Sequence, residues 1–335
     1  MKKFLKFCII GAVSMLLIGF LITAAISIIK GQDYLNEFLW QVTDGRIAAW
    51  MQKAYQLEDG GKTLLQNVGE GTGNLIGEVM DSYEEFEGYD IEDSTMFDEN
   101  YSVESGNIDK ILDGLDASWL KIELGGCTLE ILNSQDGMAR IVTQNAGKFQ
   151  AYQDGKELCI RAIRNAKENA ESSKITLYIP EGYAWEEADV EVGAGYIYIS
   201  QINAKELELE AGAGKITADA ITAEKLSLSV GAGDMHIADT QVSNLEASVG
   251  MGNLNFQGAV SGNIEAECSM GNMTIQLRGA YKDYDYEIEC VAGNIYLGEN
   301  QYGGAVKEQT INNGTGHKVD LECSMGNIKV TFDKE

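Results

Sequence analysis

Carboxylates dominate the chemistry open to this 335-residue chain, which carries 52 Asp and Glu against 25 Lys and Arg, a formal charge of −27, with 2 histidines and 6 cysteines. Glu208 and Glu210, Glu265 and Glu267, and Glu287 and Glu289 each flank a single residue. On an extended strand, side chains two apart point to one face, about 7 Å from each other. Such pairs offer hard oxygen ligands to a divalent cation. They serve equally as a solvated face that keeps strand edges from pairing between molecules. Stacked on neighbouring strands they repel, by about 1 kcal/mol per pair in water. These six glutamates are the candidate cation ladder; no cofactor is expected, weak Ca2+ binding at this ladder being the alternative to a purely solvated face.

The other reactive side chains point less clearly to a site. Cys268, Cys290 and Cys323 occupy one repeated position, and Cys127 and Cys159 lie upstream. There is no Cys-x-x-Cys, so a zinc or thioredoxin-like site is not indicated. The expectation is buried free thiols acting as small hydrophobes, with a disulfide between rungs as the alternative. A histidine-based site would have to use His236 or His317. The first alternates outward on a strand and the second lies in an insertion, so both read as surface residues. An acidic chain without clustered Lys and Arg is a poor nucleic-acid binder.

The elements that position these residues come from a repeat. The sequences Gly193-Ala194-Gly195, Gly212-Ala213-Gly214, Gly231-Ala232-Gly233 and Gly250-Met251-Gly252 recur, followed by Ser269-Met270-Gly271, Val291-Ala292-Gly293 and Ser324-Met325-Gly326. The second glycines are 19, 19, 19, 19, 22 and 33 residues apart. Equal periods of this length indicate a solenoid. Seven before the second glycine stand Ala188, Leu207, Leu226, Leu245, Ile264, Tyr286 and Val319, and two after it stand Ile197, Ile216, Met235, Leu254, Met273, Ile295 and Ile328. Around them apolar residues alternate with polar ones at period two, which predicts strands with one buried face. Each rung is expected to be two short strands joined across a glycine corner, stacked about 4.8 Å apart in chain order. Glycine suits a corner that needs positive φ, and the Asp or Asn after it suits a turn exit bonded to nearby backbone. The glycines match neither a P-loop nor a dinucleotide fingerprint. A calcium β-roll does not fit, because the glycine turn comes only once per 19 residues. The long interval from Gly293 to Gly326 predicts either a binding loop or a terminal cap.

Residues 1–30 read as a cytoplasmic tip and signal anchor: Lys2, Lys3 and Lys6 precede an uncharged apolar run over 7–29, long enough to span about 30 Å of hydrocarbon. Residues 31–62 carry apolar positions at helical spacing and read as a juxtamembrane amphipathic helix, with Trp40 and Trp50 suited to the membrane interface. Residues 63–114 have a single cation, Lys110, and read as an acidic flexible spacer. The solenoid is expected over 115–335.

The strand with a glycine corner from Leu120 to Ile131, the strand ending Pro180-Glu181-Gly182, and the turns from Gly193 to Val330 together resemble the bacterial adhesin-like family of β-strand repeats, a domain of unknown function. The resemblance spans about residues 115–335. It implies an all-β solenoid at the cell envelope, some relatives being tied to envelope-stress responses, and no catalytic residues. The expected function is therefore a single-pass, membrane-anchored extracytoplasmic protein that binds an envelope glycan or protein without catalysis. The alternatives are a β-helix carbohydrate-active enzyme, which needs a specifically spaced carboxylate pair, and a scaffold for a membrane partner.

Overall fold

The computed structural model describes residues 97–163, 173–303 and 307–334. The expected anchor, amphipathic helix and most of the spacer lie outside the described residues. What is described is all β apart from one 3-10 turn at Tyr281–Asp283.

The chain opens with β1 (Glu104–Ile111), β2 (Trp119–Leu124), β3 (Thr128–Ser134), β4 (Arg140–Asp154), β5 (Glu157–Ala162) and β6 (Lys174–Pro180). The regular array follows as β7 (Ala184–Val192), β8 (Tyr196–Ile199), β9 (Ile202–Ala211), β10 (Lys215–Ala218), β11 (Ile221–Val230), β12 (Asp234–Val249), β13 (Asn253–Val260), β14 (Ile264–Cys268) and β15 (Asn272–Ala280). It ends with β16 (Asp285–Cys290), β17 (Asn294–Leu297), β18 (Asn300–Gly303), β19 (Lys307–Ile311), β20 (Lys318–Cys323) and β21 (Asn327–Lys334).

Strands of successive repeats pair parallel and in register, so that Leu207 lies beside Leu226 and Leu226 beside Leu245. This places the apolar columns on top of one another: Leu226, Ile216, Ile237 and Val249 are at or near zero exposure. The molecule is a β-solenoid. Its rung has more sides than the expected two. Outward positions fall in adjacent pairs at Gly212-Ala213, Asp219-Ala220 and Glu224-Lys225, so inward parity resets three times per rung. The long strands β9 and β11 bend at the third of these corners, and the rung is three-sided.

The corner glycines also work differently from the expectation. None of the second glycines has positive φ. Instead, a Cβ on Gly195, Gly233 or Gly252 would lie 2.1 Å from a backbone oxygen of the rung beside it. Glycine is required because two backbones stack too closely for any side chain.

Rung order departs from chain order at both ends. The β2–β3 rung lies between β5–β6 and β7–β8. At the other end the last rung, β20–β21, inserts between β14–β15 and β16–β17. Antiparallel strands close both ends. β4 crosses the N-terminal rung, pairing with β5 through one half and β6 through the other. β18 and β19 cover β17 and β16, so the long C-terminal interval is a cap. Capping matters because an open solenoid end is an unpaired edge.

The stretch 97–114, expected as the end of a flexible spacer, belongs to the fold. β1 pairs antiparallel with β4, and the Thr143 hydroxyl accepts from Ile108 N (2.9 Å) and donates to Gly106 O (2.7 Å). Just before it, the buried Gln150 amide accepts from Asp98 N and donates to the carbonyls of Asp98 and Tyr101, each at 2.8 Å. Tyr101 stacks on Tyr152 with ring centroids 3.5 Å apart.

Candidate functional site

The 19-residue period stacks outward residues as well as inward ones, so each repeat position forms a column across the rungs. On one side, one carboxylate column runs Asp189, Glu208, Ser227, Glu246, Glu265, Asp320, Glu287. Beside it run Glu191, Glu210, Ser229, Ser248, Glu267, Glu322, Glu289. All six glutamates of the expected cation ladder therefore lie in these columns, but in two groups. Glu208 and Glu210 adjoin Asp189 and Glu191, whereas Glu265 and Glu267 are separated from Glu287 and Glu289 by Asp320 and Glu322. The last pair enters because β20 inserts there, which chain order does not reveal. Among the described residues no three His, Cys, Asp or Glu side chains form a group able to hold a metal ion. The columns are open rows, not cages.

Cations punctuate the rows. Lys121 and Arg161 reach Glu123 at 3.1 and 2.7 Å at the N-terminal end. Lys225 reaches Glu246 at 2.8 Å, and Lys318 bridges Glu287 (2.7 Å) and Asp320 (3.0 Å). Five other acids of the columns are held above their ordinary pKa. Burial, and then the neighbouring carboxylates, raise Asp189, Glu191, Glu210, Glu267 and Glu322. A raised acid binds more protons folded than unfolded. Its stabilising contribution is complete below the unfolded pKa and is lost as pH rises through the folded one. Asp285 and Asp116 are shifted down, so their contribution is present above the unfolded value and lost only in stronger acid. The melting temperature should therefore rise as pH falls from about 7.5 to about 5.5, where the raised acids begin to protonate and the lowered ones have not. Thermal melts across that interval test this, and a falling melting temperature contradicts it.

A second side carries an asparagine-rich ladder. The residues after the second glycine were expected to bond nearby backbone; instead they bond one another. Asn253 Nδ2 donates to Asp234 Oδ1 (2.9 Å), Asn272 to Asn253 (3.1 Å), Asn327 to Asn272 (3.0 Å) and Asn294 to Asn327 (3.1 Å). Gln301 of the cap continues the chain at 3.3 Å. Parallel, in-register stacking permits this, since each side-chain amide finds an identical neighbour one strand away. His236 sits exposed on this side and His317 is exposed before β20.

The cysteines lie inside. Cys127, Cys159, Cys268, Cys290 and Cys323 are free and buried. Cys268 lies beside Cys323 and Cys323 beside Cys290, which corrects the chain-order stacking. The Cys268 and Cys323 thiols donate to Gly271 O (3.2 Å) and Gly326 O (3.1 Å). At the N-terminal cap a cleft of about 330 Å³ is lined by Tyr101, Lys110, Ile111, Leu115, Tyr152 and Gln153, among others.

The fold and its surface ladders define a capped β-solenoid of stacked, near-identical rungs. Residues 120–331 match the model of the Toastrack DUF4097 family, and the chain belongs to that family. It is similar to solved structures of a candidate adhesin from Bacteroides fragilis (14% identity, TM-score 0.39, covering 68% of this chain and 98% of that one). It is likewise similar to a candidate lipid-binding protein from Parabacteroides distasonis (16%, 0.40, 67% and 96%) and a candidate cell adhesion protein from Clostridium sporogenes (14%, 0.31, 69% and 100%). No curated protein matches the chain.

Proposed function

We propose that this chain is a membrane-anchored, extracytoplasmic binding protein, held by residues 7–29 with its N-terminus in the cytoplasm. The solenoid then lies outside and binds an envelope glycan or protein without catalysis. One observation carries the reading. Two sides of the solenoid carry stacked columns, one rich in carboxylates and interrupted only at Ser227, Ser229 and Ser248, the other of amides from Asn253 to Asn294, and a repeating face suits a repeating or extended ligand. Catalysis by paired carboxylates requires one pair set apart in spacing and pKa, whereas here the raised acids recur from rung to rung. Glu208, Glu210, Glu265, Glu267, Glu287 and Glu289 attract cations as an open row, so calcium should raise the melting temperature relative to chelator.

Protease treatment of intact cells tests the topology. The solenoid should be degraded while a tag at the N-terminus survives until the cells are permeabilised. Protection of the solenoid in intact cells sinks the reading. So does glycan hydrolysis that a single acid substitution abolishes.

A further inference from the structure

The middle residue of each glycine corner is free of the crowding that fixes its neighbours, so its identity is a choice. Along the stack these residues bond in strict register: Met251 N donates to Gly231 O, Met270 N to Gly250 O, Met325 N to Ser269 O and Ala292 N to Ser324 O, at 2.7–2.8 Å. In the three earlier rungs the position is Ala194, Ala213 and Ala232. In the next three it is methionine. Met251 is 41% and Met325 45% exposed, Met270 between them is half-buried, and Val291 of the adjoining rung is 45% exposed. Isolated exposed apolar residues need no explanation; a row on consecutive rungs does. Adjacent rungs lie about 4.8 Å apart, so the ridge runs about 14 Å, roughly two and a half turns of helix. Methionine is unbranched and polarisable and adapts to varied apolar partners.

Charge decides the occupant. Three residues before each methionine, around the same corner, stand Ser248, Glu267 and Glu322, and Glu289 holds the equivalent place beside Val291 and Ala292. Burial and neighbouring carboxylates push Glu267 and Glu322 toward protonation, so a cation brought close would relieve them. A second copy of the ridge would set these carboxylates against their own kind, and an anionic lipid surface would be repelled in the same way. We propose that the methionine ridge docks a cationic amphipathic segment of a partner protein, apolar residues on Met251, Met270 and Met325 and Lys or Arg toward Glu267, Glu322 and Glu289. This deepens the binding function proposed above by naming the partner's chemistry.

The probe is a fluorescent Leu/Lys peptide of amphipathic helical periodicity, titrated by anisotropy against the purified full-length chain. The M251S/M270S/M325S variant should bind roughly tenfold more weakly, about 1.4 kcal/mol. The E267Q/E289Q/E322Q variant should lose most of its salt dependence, and Asn255→Ala, on the amide side, should bind like the parent. Oxidative footprinting of the unmodified chain guards against a misfolded variant: peptide should protect Met251, Met270 and Met325, with buried Met235 and Met273 as internal references. Equal binding by the methionine variant overturns the proposal. So does equal binding of a same-composition peptide lacking helical periodicity, since plain attraction to a polyanion would then suffice. Self-association abolished by the serine substitutions, or capture of anionic vesicles in preference to peptide, overturns it in favour of those occupants. Protease treatment of cells reads topology without the peptide, so failure here leaves the membrane-anchored reading separately testable.

Discussion

Gly233→Ala is expected to disrupt the solenoid, while Gly182→Ala is nearly tolerated, although only Gly182 has a backbone conformation that disfavours side chains. Gly182 has φ +77°, with nothing within 4 Å of an added Cβ, so the cost is conformational and on the order of 1 kcal/mol. A methyl group on Gly233 would lie 2.1 Å from Gly214 O. That oxygen accepts the Asp234 N–H at 3.0 Å, so it cannot turn aside without breaking a rung-to-rung bond. Separating the rungs would stretch the pairings of β12 with β10 and β11 together. The cost should exceed about 3 kcal/mol, the upper end for an overpacked core. Urea unfolding of the two variants distinguishes the explanations. If Gly233→Ala costs no more than Gly182→Ala, the corner glycines serve conformation rather than close stacking.

That reversal shows what a sequence of this kind makes legible. The inward columns were plain, because period-two alternation within a rung and a 19-residue period between rungs specify which residue stacks on which. The third corner was present in the polar pairs Lys205-Glu206, Glu224-Lys225 and Ser243-Asn244, each an interruption of the alternation. Rung order was not legible. The columns ending in Cys268, Cys290 and Cys323 are nearly interchangeable, so any of these rungs would fit beside any other. The spacings of 22 and 33 marked where regularity failed but not how the chain rerouted. The same ambiguity split the glutamate ladder, since the neighbours of Glu265 and Glu287 depend on where β20 goes. β1 escaped notice for another reason. As an edge strand it has no buried residue, so its composition resembles a spacer. The methionine ridge needs the register of the stack to become visible as one surface.

Ending the chain after His317 should open a rung-sized slot, and a peptide of residues 318–334 should fill it. The removed rung contributes Val319, Leu321, Cys323, Ile328 and Val330, all at most 2% exposed. Their burial is worth on the order of 10 kcal/mol before the entropy of ordering the segment is subtracted. Without them, β14 and β16 would face each other across about twice the normal strand spacing of about 4.8 Å, each with an unpaired parallel edge. The chain reaches this rung through a turn gathered on one carboxylate: Asp285 accepts from the backbone N–H groups of Asn313 (2.6 Å), Gly314 (2.8 Å) and Gly316 (2.8 Å), and from Thr315. Those bonds hold the Asp285 carboxyl below its ordinary pKa. Asp285→Ala should therefore speed hydrogen exchange across residues 318–334 while leaving β7 to β13 protected, a local loosening and not unfolding. The truncation goes further. It should lower the melting temperature by more than about 10 °C and promote association between copies, each offering its slot to a neighbour's strands. Added peptide should reverse both effects, because it restores the two pairings that β20 and the two that β21 make in the intact chain. A truncated chain that melts like the parent, or that ignores the peptide, would mean that β16 and β17 can close directly onto β14 and β15.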